Sequence, residues 1–331
     1  MPADRPPLQL LVFAAEAITV TQGTNRGDAL SVAEDLQPDD VYELSEAARP
    51  ARLAVAPGAG TAFTVAPGSA LGRPGAALHL DCRLTLMGAD GRTTEGLVFV
   101  ELDAEGCIAA VYLHPLAELA ARAGYTLVGI DRAGAHRRLA ELGCVSFARG
   151  TRITAASGAQ VPIEDLRPGD RVLTRDDGAQ PVRWIGQTTV RAVGAFAPIV
   201  VGAGALNNAA DLVVSRDHRL FVWQREDALG AGRSEVLVRA RHLVNGTSVR
   251  VRVGGFLDYF QLLFDRHQII YAEGIAAESL LIDARTRPIL PETLAPRLAA
   301  HRPAPQTGFE VEETLARHPD AVDRLRRASA R

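Results

Sequence analysis

Alternation of apolar and polar positions is clearest between residues 78 and 113. Leu78 to Met87 alternates, and Gly88-Ala89-Asp90-Gly91 turns the chain. Leu97 to Leu102 returns, Asp103-Ala104-Glu105-Gly106 turns again, and Cys107 to Leu113 forms a third strand. Period-two runs joined by short glycine-bearing turns predict a β-meander. His79, Cys82 and Cys107 fall on these strands and read as side chains of a half-buried sheet. Earlier, the apolar run Leu8 to Ala15 and the following Ala15-Glu16-Ala17 imitate a signal peptide with its cleavage site. The run is short, Asp4 offsets Arg5, and Ala17 to Thr21 alternates. The pattern therefore predicts a first β-strand, which favours the cytoplasm and leaves non-classical secretion open. Leu53 to Val65, punctuated by Pro57-Gly58 and Pro67-Gly68, adds further β structure. A short helix (Pro115 to Arg122), a strand (Tyr125 to Ile130) and a second helix (Ala133 to Leu142) are expected next, with Gly143 as a left-handed cap.

From Cys144 the runs shorten. Strands are predicted at Thr151–Thr154, Arg171–Thr174, Pro181–Ile185, Asp211–Val214, Leu220–Trp223, Val249–Val253, Tyr259–Leu263 and Gln268–Tyr271, with turns at Ser157-Gly158, Arg167-Pro168-Gly169-Asp170 and Asp176-Asp177-Gly178. Many short strands with frequent turns indicate an all-β globule of about 140 residues. After Asp283, Pro288, Pro291, Pro296, Pro303 and Pro305 interrupt the pattern, and Glu310 to Arg327 has room for one or two short helices around Pro319. The chain thus reads as mostly β in three parts: a β-rich N-terminal domain (1–143), an all-β domain (144–283) and a Pro/Arg-rich, partly helical tail (284–331).

Composition narrows the chemistry. The 331 residues include 36 basic ones, all Arg, with a net charge of −3. Without Lys there is no Schiff base, no pyridoxal phosphate anchor and no phosphate-loop lysine. No basic field recruits nucleic acid, and no apolar stretch is long enough for a transmembrane helix. Cys82, Cys107 and Cys144 are odd in number and unpaired in spacing, which argues against a zinc cluster or disulfide framework. No cofactor or metal is expected. Trp184 and Trp223 read as strand aromatics, Asn207-Asn208 as a turn, and Arg26-Gly27-Asp28 as a tight turn rather than an adhesion ligand.

The segment Ser146-Phe147-Ala148-Arg149-Gly150-Thr151 opens the second domain, and Val161 to Thr174 follows. Later come Ser215-Arg216-Asp217-His218 and Asp265-Arg266-His267-Gln268-Ile269-Ile270-Tyr271-Ala272-Glu273-Gly274. In that order and spacing these segments resemble the Hint (hedgehog/intein) superfamily, specifically its bacterial Hint-domain proteins, over roughly residues 144 to 283. The resemblance implies a flat, horseshoe-shaped β-fold whose two ends lie close together. It also implies an acyl shift: a nucleophile at the head of the domain attacks the preceding carbonyl.

Such a shift needs a donor for the developing oxyanion and an acid for the leaving amine. By resemblance Ser215, where the family usually has Thr, contacts the scissile amide and His218 is the acid. The family register places the nucleophile at Ser146, because Phe147, Gly150 and Thr151 then fit. Cys144 competes, since a thiol ionises more readily than a hydroxyl and Gly143 leaves its carbonyl unhindered. A third possibility is that neither reacts. Splicing requires a terminal His-Asn pair, and Ala272 to Leu280 contains no Asn, so ligation is not expected. Asp265 and His267, near this end, either activate an attacking water or form an ion pair with Arg266 or Arg219. The expected function is one self-cleavage, with the N-terminal domain as substrate in cis and water or an outside nucleophile as acceptor. The alternative is an inactive Hint fold serving as an interaction module. A conventional hydrolase is disfavoured, because no Gly-x-Ser-x-Gly elbow surrounds Ser146.

Overall fold

The computed structural model describes residues 7–57, 62–225, 227, 230, 232, 234–282, 286, 289–290 and 320–329. It divides into two compact units, one built on residues up to Leu142 and the other on residues from Gly143.

The first unit holds β1 (Leu8–Ala14), β2 (Ile18–Gln22), β3 (Val41–Leu44), β4 (Ala51–Pro57), β5 (Phe63–Val65), β6 (Ala77–Gly88), β7 (Thr93–Leu102), β8 (Ile108–Pro115) and β9 (Gly124–Asp131). Their order is β2-β3-β9-β6-β5-β4-β1-β8-β7, and β6 also pairs with β7. That extra pairing closes β6, β5, β4, β1, β8 and β7 into a barrel, which leaves those strands no open edge. Strand β6 makes this possible by its length: its first residues pair with β5 and its later ones with β9. The predicted alternation on β6 is real, with Leu78, Leu80, Cys82, Leu84 and Leu86 buried. The meander forms as expected, although Cys107 sits in the turn before β8 and is exposed. The run from Leu8 is a strand, and Arg26-Gly27 lies in a tight turn closed by Asp28 N–H to the Asn25 carbonyl at 3.0 Å, with Gly27 at a φ of 98°.

The helix expected at Pro115 to Arg122 is absent. Leu116 N–H instead donates to Glu95, prolonging the β7–β8 ladder, and Arg122 N–H donates to Leu44. Leu116 and Leu119 are buried from an irregular loop, so their three-residue spacing reflects burial and not a helix. The second helix is α1 (Ala135–Gly143). Gly143 is its last residue and does not take a positive φ; the chain leaves the helix by a bend at Cys144.

The second unit contains β10 (Phe147–Ala148), β11 (Arg152–Thr154), β12 (Gln160–Pro162), β13 (Arg171–Leu173), β14 (Ala179–Pro181), β15 (Trp184–Arg191), β16 (Ile199–Val201), β17 (Leu212–Val214), β18 (Arg219–Trp223), β19 (Glu235–Arg239), β20 (Val249–Val251), β21 (Phe256–Leu263), β22 (Ile269–Ala272) and β23 (Ile275–Glu278). One sheet runs β15-β21-β10-β17-β16-β20, another β12-β11-β22-β23-β18-β19, and β13 pairs with β14. Pro181 ends β14 and Trp184 opens β15, so the single strand expected at Pro181–Ile185 is two. Helix α2 (Ala321–Ser329) buries Ala321, Val322 and Leu325 in this unit's core. Residues 291–319, where more of the tail helix was expected, lie outside the described residues. Trp223 is exposed, and the Trp184 ring lies over Gly186 where a Cβ would stand.

Asn207 and Asn208 do form a turn. Asn207 has a φ of 63°. The buried Asn208 amide donates to the carbonyls of Val201, Gly202 and Ala210 and accepts from Leu206 N–H. Asn208→Ala removes all four bonds, and of the carbonyls Gly202 keeps Ala205 N–H as a partner. It is expected to cost about 1–3 kcal/mol, read as a lower urea midpoint of unfolding.

Candidate functional site

The site forms around β10, a strand of only two residues held between β17 and β21. Ser146 immediately precedes it. Val214, the last residue of β17, pairs with Phe147, and Ser215 N–H continues that ladder to the Ser146 carbonyl at 2.9 Å. A turn, closed by His218 N–H to the Ser215 carbonyl at 3.1 Å, then leads into β18. Short strands thus deliver both members of the Ser-x-x-His segment to the backbone of Ser146.

The Ser215 hydroxyl lies between two backbone groups. It accepts from Ser146 N–H at 3.1 Å and donates to the Cys144 carbonyl at 3.2 Å. His218 Nδ1 is 3.1 Å from the Ser146 carbonyl. A carbonyl only accepts, so Nδ1 carries the proton and Nε2 of the neutral ring does not. The His218 ring packs on Phe147, centroids 4.4 Å apart, and Nε2 has no hydrogen-bond partner among the described residues. Gln261 on β21 donates through Nε2 to the Ser146 hydroxyl at 2.8 Å. Across the ladder from Gln261 is Gly186, where an added Cβ would fall 2.4 Å from Gln261 Oε1 and 2.3 Å from the Trp184 ring.

Burial dominates the electrostatics. It pushes the His218 pKa down to about 4, against the hydrogen bond to Ser146 and the charge and backbone of Glu278, and with help from the Arg219 charge. His218 is therefore neutral near pH 7.

The structure brings together Cys144, Ser146, Ser215 and His218. Cys144 is buried and enters through its carbonyl. Thr151 is buried one turn further on, where its backbone joins Ala148 to Ile163, and no hydrogen bond links it to Ser146, Ser215 or His218 among the described residues. Asp265 is not in the cluster. It is exposed and makes a bidentate pair with Arg183, rather than with Arg266 or Arg219. A surface Arg–carboxylate fork of this kind is a fixture of the loop before β22 and not a base aimed at Ser146. His267 is buried, with Nε2 3.5 Å from Glu278 Oε1, and the partner of Arg219 is Glu278. Gln261 and Glu278 are the two contributors that residue patterns did not single out. Gln261 sat unmarked within the strand expected at Tyr259–Leu263, and Glu278 read as one polar residue in the terminal stretch. No cluster of three or more His, Cys, Asp or Glu able to hold a metal occurs among the described residues. No helix among the described residues is long and apolar enough to cross a membrane.

Comparison with known proteins decides what this arrangement belongs to. A family model described as Hint domain matches residues 145–284. The chain carries a Hint domain. Among solved structures, the gp41-1 intein is similar over 40% of this chain and 97% of its own, at 10% identity and a TM-score of 0.26. No match was found among curated proteins. The matched segment begins one residue before Ser146 and so takes in the whole Ser146–Ser215–His218–Gln261 cluster.

Two expectations follow for the Hint domain. Because the unfolded chain binds a proton at His218 near pH 6.5 and the folded one only near 4, stability falls as pH drops through that window, by about 3 kcal/mol in all. His218→Gln is expected to flatten this slope in urea unfolding measured between pH 7 and 4.5. Gly186→Ala is expected to push Gln261 off the Ser146 hydroxyl and to destabilise the domain by about 1–3 kcal/mol, checked by its unfolding midpoint.

Proposed function

We propose that this Hint domain cleaves its own chain once, between Val145 and Ser146, without splicing. The observation that carries the reading is the hydrogen bond from Ser146 N–H to the Ser215 hydroxyl at 3.1 Å. In an N–O acyl shift the Ser146 hydroxyl oxygen bonds to the Val145 carbonyl carbon, the bond from that carbon to the Ser146 nitrogen breaks, and the nitrogen becomes an amine. Ser215 grips the nitrogen that has to leave. Water or an outside nucleophile then opens the ester and frees residues 1–145, as an acid when water attacks. Support for Ser146 over Cys144 comes from the same geometry: Ser215 and His218 both bond to the Ser146 backbone, one of them at the nitrogen that has to leave. Ala272 to Leu280 contains no Asn, so no terminal cyclisation follows.

A second reading is favoured by one contact. The Ser146 hydroxyl accepts from the Gln261 amide, and an amide cannot act as a base. On that reading the site is silent and the Hint fold is a rigid interaction module joined to the first unit.

Intact mass of the freshly purified chain separates the two. Cleavage is expected to convert 35.2 kDa into pieces of about 15 and about 20 kDa by proportional length, the larger beginning at Ser146. Ser146→Ala is expected to abolish it and Cys144→Ala to leave the cleavage position unchanged. A 35.2 kDa species that persists with hydroxylamine or thiol at mildly alkaline pH selects the interaction module.

A further inference from the structure

One end of the sheet that contains β10 carries two exposed apolar side chains on a single turn. Strand β20 ends at Val251 and β21 begins at Phe256. In the connection between them Val253 is 69% exposed, and Phe256 is 80% exposed. These are the two highest exposures of large apolar side chains among the described residues. The turn itself is firmly held. Arg252 N–H donates to the Pro198 carbonyl, Gly254 N–H donates to the Ala192 carbonyl, and Ala192 N–H donates back to the Gly255 carbonyl. Gly254 and Gly255, at φ of 102° and 72°, take a left-handed backbone that a side chain would strain. A fixed backbone therefore presents Val253 and Phe256 to solvent, and little further ordering is needed when they bind.

The surroundings of the turn are cationic. Arg252 is exposed, adjoins Val253 and has no acidic partner among the described residues; Arg191 is in register with Phe256 across the ladder. No Asp or Glu occurs in residues 178–210 or 236–257, the stretches that supply the turn and the strand beside it. The next acid along β21, Asp258, is taken up by Arg149 and Thr189. In a chain whose net charge is −3, this end of the sheet is a local exception. Apolar side chains at an apex with arginines behind them match a negatively charged lipid surface. The ring and the isopropyl group enter the acyl boundary, while the guanidinium groups stay at headgroup level. A stable protein partner would bury about 1,200 Å² or more in total, and two side chains on one turn supply only a small part of that.

We propose that the turn from Val253 to Phe256 is a membrane-docking tip that seats the Hint domain on an anionic lipid bilayer. The docking does not depend on self-cleavage. Flotation of the full chain with vesicles of phosphatidylglycerol and phosphatidylcholine tests it, against vesicles of phosphatidylcholine alone. The chain is expected to float with the anionic vesicles about tenfold more strongly, and less so as salt is raised. Replacing both Val253→Ser and Phe256→Ser is expected to lower that partitioning tenfold or more, and Arg252→Gln to lower it about fivefold. Trp223→Ser, at an exposed aromatic on the other sheet, is expected to change nothing. Phe256→Trp keeps the tip apolar and reports on depth: its emission is expected to shift to the blue on anionic vesicles and to be quenched by brominated acyl chains. Absence of flotation overturns the proposal, as does flotation that the double serine variant retains or a tryptophan at 256 that brominated chains fail to quench. Self-association that the same double variant abolishes, without flotation, overturns it in favour of a second copy of the chain.

Discussion

Everything at the site hangs on the backbone of a strand two residues long. Strand β10 cannot hold itself; its conformation comes from β17 on one side and β21 on the other. Backbone N–H and C=O groups buried this deeply must be paired, and that requirement fixes Ser146 in place. The carbonyl of Ser146 takes both Ser215 N–H and His218 Nδ1, and its N–H goes to the Ser215 hydroxyl. Ser215 and His218, both distant in sequence, are thereby tied to the backbone of one residue.

The interior around that peptide unit is polar by exception. Phe147, Phe260, Val214 and Leu262 surround it with apolar surface, which is why burial keeps His218 neutral near pH 7. Gly186 belongs to this logic. It is small because the Trp184 ring and Gln261 both occupy the space over it.

The meander in the first unit was legible because β6, β7 and β8 face a core on one side and so alternate cleanly. Barrel closure was not legible, since it depends on which edges of β6 find β5 and β7. In the Hint domain, Ser146, Ser215 and His218 were visible as spaced residue types. Gln261 was hidden because an inward-facing amide in an apolar strand has no local signature, and its meaning comes only from the glycine across the ladder. Glu278 was hidden for the opposite reason: an acid beside Ser279 at the end of a run of alanines reads as surface, and only the pairing of β23 with β18 puts it inside. Strands β16 and β23 were missed because three or four residues of small or uniformly apolar character show no period. Asp265 and Arg183 were matched by the fold and not by proximity in sequence.

Helix α2 has an implication for how the molecule is made. Ala321, Val322 and Leu325 belong to the same core as Phe147 and Ile153. The Ala328 carbonyl also accepts from Arg225 N–H, just beyond β18. During synthesis the barrel of the first unit can close while the remainder is still emerging, because nothing in its ring of strands comes from beyond residue 115. The Hint core cannot be completed until residue 325 has left the ribosome. Order of manufacture therefore separates the two events in time: the junction at residues 144–146 is translated early and acquires its finished surroundings late, after its upstream neighbour has folded.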